Sequence, residues 1–156
     1  MIAQPRETPA GLIIETRFRG YHFRSRLEAR WFVFFEALAL RAEYEPQGFV
    51  TSSGAYLPDF FVNEWRTWIE IKPWLASTEY VLHCRKLRDI EKATSQCALV
   101  VYGPPDLIRG AMIFSSLGSC IATHFNRGGP LTAAPEDVTT IEAYTRAQSE
   151  RFETRR

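Results

Sequence analysis

Three residues in one stretch carry chemistry that an apolar hairpin does not host without a cost. They are Asp59, Glu70 and Lys72, set in the segment from Tyr56 to Lys72. The segment reads as two apolar strands joined by the polar turn Asn63-Glu64-Trp65-Arg66. If Val62 pairs with Thr67 across that turn, Asp59 lies directly opposite Glu70. Opposed Cβ atoms in an antiparallel pair are about 5 Å apart. Side chains at i and i+2 share a face, so Lys72 joins both acids. Burying two carboxylates and an ammonium is unfavourable unless something compensates them. A hard divalent cation such as Mg2+ takes oxygen ligands and would do so. Asp59 and Glu70 offer carboxylate oxygens, and the backbone carbonyl of Ile71 offers a third ligand. Lys72, about 6.7 Å along the strand from Glu70, would stand beside the metal. There it would orient or deprotonate a water, or stabilise charge on a transferring phosphoryl group. Those are the parts required for in-line hydrolysis of a phosphodiester.

The elements that must position this trio are readable around it. Ser25 to Leu40 is the clearest helix, with Leu27, Trp31, Phe34 and Leu38 on one stripe and Phe35 widening it. Ser25-Arg26-Leu27-Glu28 matches a capping box. Glu28 also lies at the border of the apolar stripe, where its carboxylate would reach over the edge of a sheet. It would then complete the ligand set or bridge to a second metal. Capping and ligation compete for the same oxygens. The other hairpin face, Phe60, Val62, Ile69 and Ile71, suits packing onto this helix.

Upstream, residues 1–11 read as a loose arm with two prolines. Leu12 to Phe18 and Tyr21 to Arg24 read as short strands around Arg19-Gly20. Arg17, Arg19, Arg24 and Arg26 crowd this region. They would form either a phosphate-contacting patch or a solvated hairpin with arginine stems lying on aromatics. Arg41 to Glu45 reads as a strand start. Phe49 to Thr51 and Ala55 to Val62 read as strands flanking the turn Ser52-Ser53-Gly54. Pro73 ends the Glu70 strand. Ser77 to Ala93 reads as a second helix, basic on several faces, and Cys97 to Tyr102 as a fully buried strand. That strand–helix–strand order predicts a right-handed crossover between parallel strands. Ala111 to Phe114 and Cys120 to Phe125 are weaker strands, and 126–130 reads as loop. Glu136 to Phe152 reads as a polar helix anchored by Ile141, Tyr144 and Phe152. The expected division is one domain over 12–133, followed by a C-terminal helix over 134–156.

The chain of 156 residues is long enough for one domain with a sizeable core. A formal charge of +1 gives no case for nucleic acid by itself, so the local basic patches carry that argument. Three widely spaced cysteines, Cys84, Cys97 and Cys120, contain no C-x-x-C pair. They argue against a disulfide framework or a zinc ribbon and for a reducing cytoplasm. Cys84 reads as a small buried residue. No apolar run is long enough to span a bilayer. His22, His83 and His124 are scattered and read as structural or exposed residues.

The order helix, three-stranded meander, helix, strand resembles the core of the PD-(D/E)XK nuclease superfamily. The motif residues are Pro58-Asp59 and Glu70-Ile71-Lys72, with Glu28 in the first core helix. The branch it is most similar to contains phage junction-resolving endonucleases, archaeal Holliday junction resolvases and TnsA-type transposon endonucleases. Phe23 to Trp31, Tyr44-Glu45-Pro46 and Tyr56 to Phe60 also look like small phage and prophage proteins of that superfamily. The resemblance covers about Tyr21 to Tyr102. It implies an α/β fold with a restriction-endonuclease-like core, a mixed central sheet flanked by helices. It implies Mg2+- or Mn2+-dependent cleavage of DNA, with Glu28 a member of the metal site beside Asp59, Glu70 and Ile71. A basic residue on the following helix assists in some relatives, and Lys86 is the candidate here. Junction-resolving relatives are dimers, which makes a homodimer an expectation. No small-molecule cofactor and no membrane are implied. Two further expectations stand beside cleavage: a non-catalytic nucleic-acid-binding or assembly protein on the same fold, and a nuclease subunit of a transposition or defence complex.

Overall fold

A computed structural model describes residues 14–73, 80–117 and 124–152. The arm over 1–11 and the expected starts of the first strand at Leu12, the second helix at Ser77 and the strand at Cys120 lie outside them. Among the described residues the fold is mixed α/β, with a five-stranded mixed sheet and three helices.

The chain begins with a hairpin of β1 (Thr16–Phe18) and β2 (Tyr21–Phe23). Its turn is Arg19-Gly20, both at positive φ. Then comes α1 (Arg26–Ala37). Ser25 is its N-cap, extended at φ −140° and ψ 156°, and its side chain accepts from Glu28 N at 3.2 Å. The helix stops in a Schellman motif. Ala39 turns left-handed at φ 55°, Ala39 N–H donates to Glu36 O, and Leu40 N–H donates to Phe35 O, both at 2.9 Å.

The stripe expected on α1 is wider than one face. Ala29, Trp31, Phe32, Val33, Phe34 and Phe35 are all buried. A helix apolar nearly all round must be covered on several sides, and three partners cover it. Phe35 meets Phe60 of the sheet at 5.5 Å between ring centroids. Phe32 meets Phe23 of the first hairpin at 5.2 Å. Phe34 meets Tyr144 of α3 (Val138–Ser149) at 4.5 Å. Each such ring contributes about 1.5–3 kcal/mol by leaving water.

The main sheet has the order β3-β6-β7-β8-β9. Its strands are β3 (Ala42–Tyr44), β6 (Phe60–Val62), β7 (Thr67–Lys72), β8 (Cys97–Tyr102) and β9 (Met112–Ser115). All neighbours are antiparallel except β7 and β8, which are parallel. The helix α2 (Tyr80–Thr94) joins those two, as the crossover reading expected. Alternate residues face two separate apolar layers. Phe60, Val62, Ile69, Ile71 and Val101 pack with α1 and α3. Phe61, Trp68, Val100 and Tyr102 pack with Leu87 and Ile90 of α2.

Three elements differ from the reading of the sequence, the first being β8, expected as fully buried, whose Cys97 is exposed. The strand expected over Ala55 to Val62 is broken. Its first part, β5 (Gly54–Tyr56), pairs with β4 (Phe49–Thr51) as a separate hairpin. Leu57-Pro58-Asp59 then carries the chain into β6. Proline has no N–H for a ladder, which accounts for the break. The stretch 126–130, expected as loop, turns a hairpin between β10 (His124–Asn126) and β11 (Gly129–Leu131). Pro130 is tolerated because this ladder has two edge strands only. Gly129, at φ 123°, supplies the turn geometry. Helix bounds shift by a few residues. α3 is a structural part of the core, since Ala143, Tyr144 and Ala147 are buried in the α1 layer. Among the described residues no helix is long and apolar enough to cross a membrane.

Candidate active site

The register of the β6–β7 pair is Phe60 to Ile69, Phe61 to Trp68 and Val62 to Thr67. Extended by one residue, it sets Asp59 level with Glu70, as the spacing predicted. Asp59 is 2 % exposed and Glu70 5 % exposed. Asp59 Oδ2 accepts the backbone N–H of Ile71 at 2.7 Å, which locks the end of β6 to β7. Lys72 Nζ lies 2.8 Å from Glu70 Oε1. The backbone at this end is fixed as well, because Gly103 N–H donates to Lys72 O at 2.9 Å.

Two tyrosines and an arginine that the trio did not announce complete the cluster. Tyr56, at the end of β5, donates its hydroxyl to Glu70 Oε2 at 2.9 Å. Arg24, between β2 and α1, places Nη2 2.9 Å from Asp59 Oδ1. Its Nε forms a second ion pair with Glu45, without the alignment of a directed hydrogen bond. Tyr44 donates to Glu28 Oε2 at 2.7 Å and accepts from Arg24 N at 3.0 Å.

Glu28 is occupied at the mouth of α1. Its Oε1 accepts from Ser25 Oγ at 3.0 Å and its Oε2 accepts from Arg24 N at 3.2 Å. The capping relation therefore exists, with the amide before the cap residue taking the carboxylate. Glu28 meets Asp59 only at second hand, through Arg24. Its charge nevertheless reaches that far and, after burial and Glu70, helps to raise the Asp59 carboxyl.

The electrostatics of the cluster are unbalanced toward negative charge. Burial, then the charges of Glu70 and Glu28, push the Asp59 carboxyl well above its ordinary value, against the Ile71 amide and Arg24. Burial pulls the Lys72 ammonium down, but the charge and hydrogen bond of Glu70, then Asp59, carry it above its ordinary value. Burial likewise opposes charge on Arg24. The Tyr44 hydrogen bond and the charges of Asp59, Glu45 and Glu28 outweigh it and raise Arg24. Both cations thus remain charged at neutral pH. Tyr56 is raised by burial and by Glu70, so it stays a donor.

Among the described residues no three His, Cys, Asp or Glu side chains form a ready cation site. The donor set still fits one. Each of the four oxygens of Asp59 and Glu70 accepts one protein donor. A carboxylate has about four lone-pair sites, so each oxygen keeps one. Burial first and neighbouring negative charge second raise Asp59, and a hard divalent ion would neutralise that charge.

The remaining predicted residues divide clearly. Lys86 belongs near the cluster, since its Nζ lies 5.1 Å from the centre of the Tyr56 ring. Arg17 and Arg19 stand apart on the first hairpin. They line an open cavity of about 600 Å3 with Tyr21, His22, Arg151 and Phe152. Arg19 pairs with Glu36 and lies over Phe18. Arg26 has a buried Nε with no hydrogen-bond partner. Cys84 is buried, as expected, and its thiol lies 3.4 Å from Ser115 O.

Comparison of the chain with protein-family models, with curated proteins and with solved structures finds no match.

Proposed function

We propose that this chain is a metal-dependent endonuclease that hydrolyses phosphodiester bonds of DNA, with a PD-(D/E)XK-type site. The observation that carries this reading is the register of β6 and β7. It sets a buried aspartate level with a buried glutamate and puts Lys72 on the same face, 2.8 Å from Glu70. The topology supports it too. A helix, the antiparallel run β3-β6-β7, a helix and the parallel strand β8 follow in the order expected of a restriction-endonuclease-like core.

Asp59 and Glu70 would hold Mg2+ or Mn2+, with the Ile71 carbonyl as a further ligand and Glu28 at the periphery. When bound, the ion supplies Lewis acidity and a water of lowered pKa. The protein's own part follows from the hydrogen bonds. Tyr56 fixes the rotamer of Glu70. The Ile71 amide fixes Asp59. Lys72, paired with Glu70 at 2.8 Å, would stand beside the ion and stabilise charge developing on the phosphoryl group. Lys86, whose ammonium lies over the Tyr56 ring, would add positive charge for the strand being cut.

The direct test incubates the protein with plasmid, single-stranded and four-way-junction DNA in Mg2+, Mn2+ or EDTA. Cleavage is expected with either cation and not with EDTA, and is lost in Asp59→Ala and Lys72→Ala. Undiminished cleavage by Asp59→Ala would overturn the assignment.

One observation favours a second reading, a nucleic-acid-binding protein without catalysis. Arg24 already supplies Asp59 with a cation at 2.9 Å. On that reading calorimetry finds no Mg2+ or Mn2+ binding, and DNA binding persists in EDTA.

A further inference from the structure

Arg24 joins two parts of the site with unequal freedom. Its backbone is pinned, because its N–H is shared by Glu28 Oε2 at 3.2 Å and the Tyr44 hydroxyl at 3.0 Å. Its side chain is 56 % exposed, whereas that of Asp59, which it holds, is 3 % exposed. The guanidinium therefore approaches Asp59 from the solvent side and can leave without repacking the core. It also has a second anchor. Glu45 adopts the left-handed conformation, at φ 46°, and its N–H donates to Asp59 O at 2.8 Å. Only a few non-glycine residues take that conformation, and it is kept where surrounding contacts enforce it. The result is a carboxylate fixed beside Asp59 and paired with the same arginine.

We propose that Arg24 is a built-in cation that occupies Asp59 until a divalent metal displaces it, whereupon the guanidinium turns to a phosphate of the substrate. The proposal rests on the metal-dependent reading above and adds a role to one residue. A divalent ion at Asp59 and a guanidinium within hydrogen-bonding distance of the same oxygen repel each other. Glu45 retains the displaced arginine at the site, so it remains available. A planar guanidinium matches two phosphate oxygens at once, which an ammonium does not. Metal loading and substrate engagement are thereby coupled through one side chain. In the protein without metal the arginine offsets part of the charge on the buried aspartate, and the protein with metal gains a phosphate clamp.

The test measures Mn2+ binding by calorimetry in wild-type, Arg24→Gln and Arg24→Lys proteins. Removing a competing charge this close should tighten Mn2+ binding by roughly tenfold in Arg24→Gln, with Arg24→Lys between the two. In wild-type protein, nitrogen-15 NMR of the Arg24 Nη–H groups should show their resonance leaving the position paired with Asp59 as Mg2+ is added. Duplex DNA binding with Ca2+, used as a non-cleaving ion, should be weaker in Arg24→Gln than in wild type, and equal in EDTA. Equal Mn2+ affinity in all three proteins, with a stationary Arg24 signal, overturns the displacement and leaves the metal reading standing. No Mn2+ binding to wild type or to either variant overturns both.

Discussion

Tyr56 and Glu70 meet through a hydrogen bond of 2.9 Å, although they belong to different sheets. The tyrosine closes the small β4–β5 hairpin, and the glutamate sits inside the main sheet. That one bond ties the hairpin to the candidate site. Tyr56→Phe should cost about 1–2 kcal/mol, because Glu70 Oε2 is left buried without its donor. Urea unfolding at neutral pH measures it, and an unchanged midpoint would place the hydroxyl outside the site's support.

Glu70→Gln tests the charge balance at Asp59. Burial raises Asp59 first, and the Glu70 charge comes next. A carboxyl raised in the folded state holds its proton where the unfolded chain has lost it. Its contribution to stability is full below the unfolded value of 3.8 and disappears as pH rises through the folded value. Metal-free wild-type protein should therefore lose stability from pH 4 upward by this route, and Glu70→Gln should lose less. Thermal unfolding in EDTA at several pH values reads the difference. The Asp59 carboxyl carbon, followed by NMR, should titrate lower in the variant.

At alkaline pH the buried tyrosines dominate. Burial pushes Tyr144 up to about 12, while its hydrogen bond from Phe125 N, 2.8 Å long, works the other way. Between pH 10 and 12 the unfolded chain releases this proton and the folded chain keeps it. Stability should fall by roughly 2–3 kcal/mol across that interval. Tyr44 and Tyr56 are raised in the same direction and add to the slope. Tyr144→Phe should be less stable at pH 8, having left the Phe125 amide unpaired, and should show a shallower alkaline decline.

Lys72→Met should fold and fail to cleave, with a loss on the order of 10²–10³ in rate. The ammonium is only a third exposed and its partner Glu70 is buried, so the variant also frees a carboxylate. Metal affinity should rise in Lys72→Met while turnover falls. A variant with both affinity and rate unchanged would show that Lys72 serves as an ordinary surface cation.

The legible part of this molecule was its parity. Counting two residues per repeat from Val62 and Thr67 sufficed to place Asp59 against Glu70 and to send Phe60, Val62, Ile69 and Ile71 to the α1 layer. The same counting concealed Tyr56. In an unbroken strand from Ala55 to Val62, Tyr56 shares the face of Phe60, away from Glu70. The break at Leu57-Pro58 resets the alternation, and Tyr56 joins Trp68 and Phe61 in the α2 layer. Arg24 was legible as a basic residue near a sheet edge. Its partner is 35 positions away, and no local pattern records a pairing across that distance. Glu28 was read first as a capping residue and then, from the family resemblance, as a metal-site member; the structure places its carboxylate on the Ser25 hydroxyl and the Arg24 amide. The β10–β11 hairpin was hidden by its composition, since Gly129 and Pro130 signal a turn whether or not strands flank it.

The β4–β5 hairpin leaves the main sheet after β3 and returns at β6, and those two strands are themselves neighbours. It is an excursion between adjacent strands, so its length is decoupled from the sheet's register. Its tip is moored to α2, where Asp89 Oδ2 accepts from both the N–H and the hydroxyl of Ser52 at 2.8 and 2.7 Å. Doubling the length of a flexible loop costs only about 0.6 kcal/mol in closure entropy. Residues inserted at Ser52-Ser53 would lengthen the excursion while Tyr56 keeps its bond to Glu70. The fold thus has a place to accept new sequence beside its buried acids, and so to change what it reaches without changing how the acids are held.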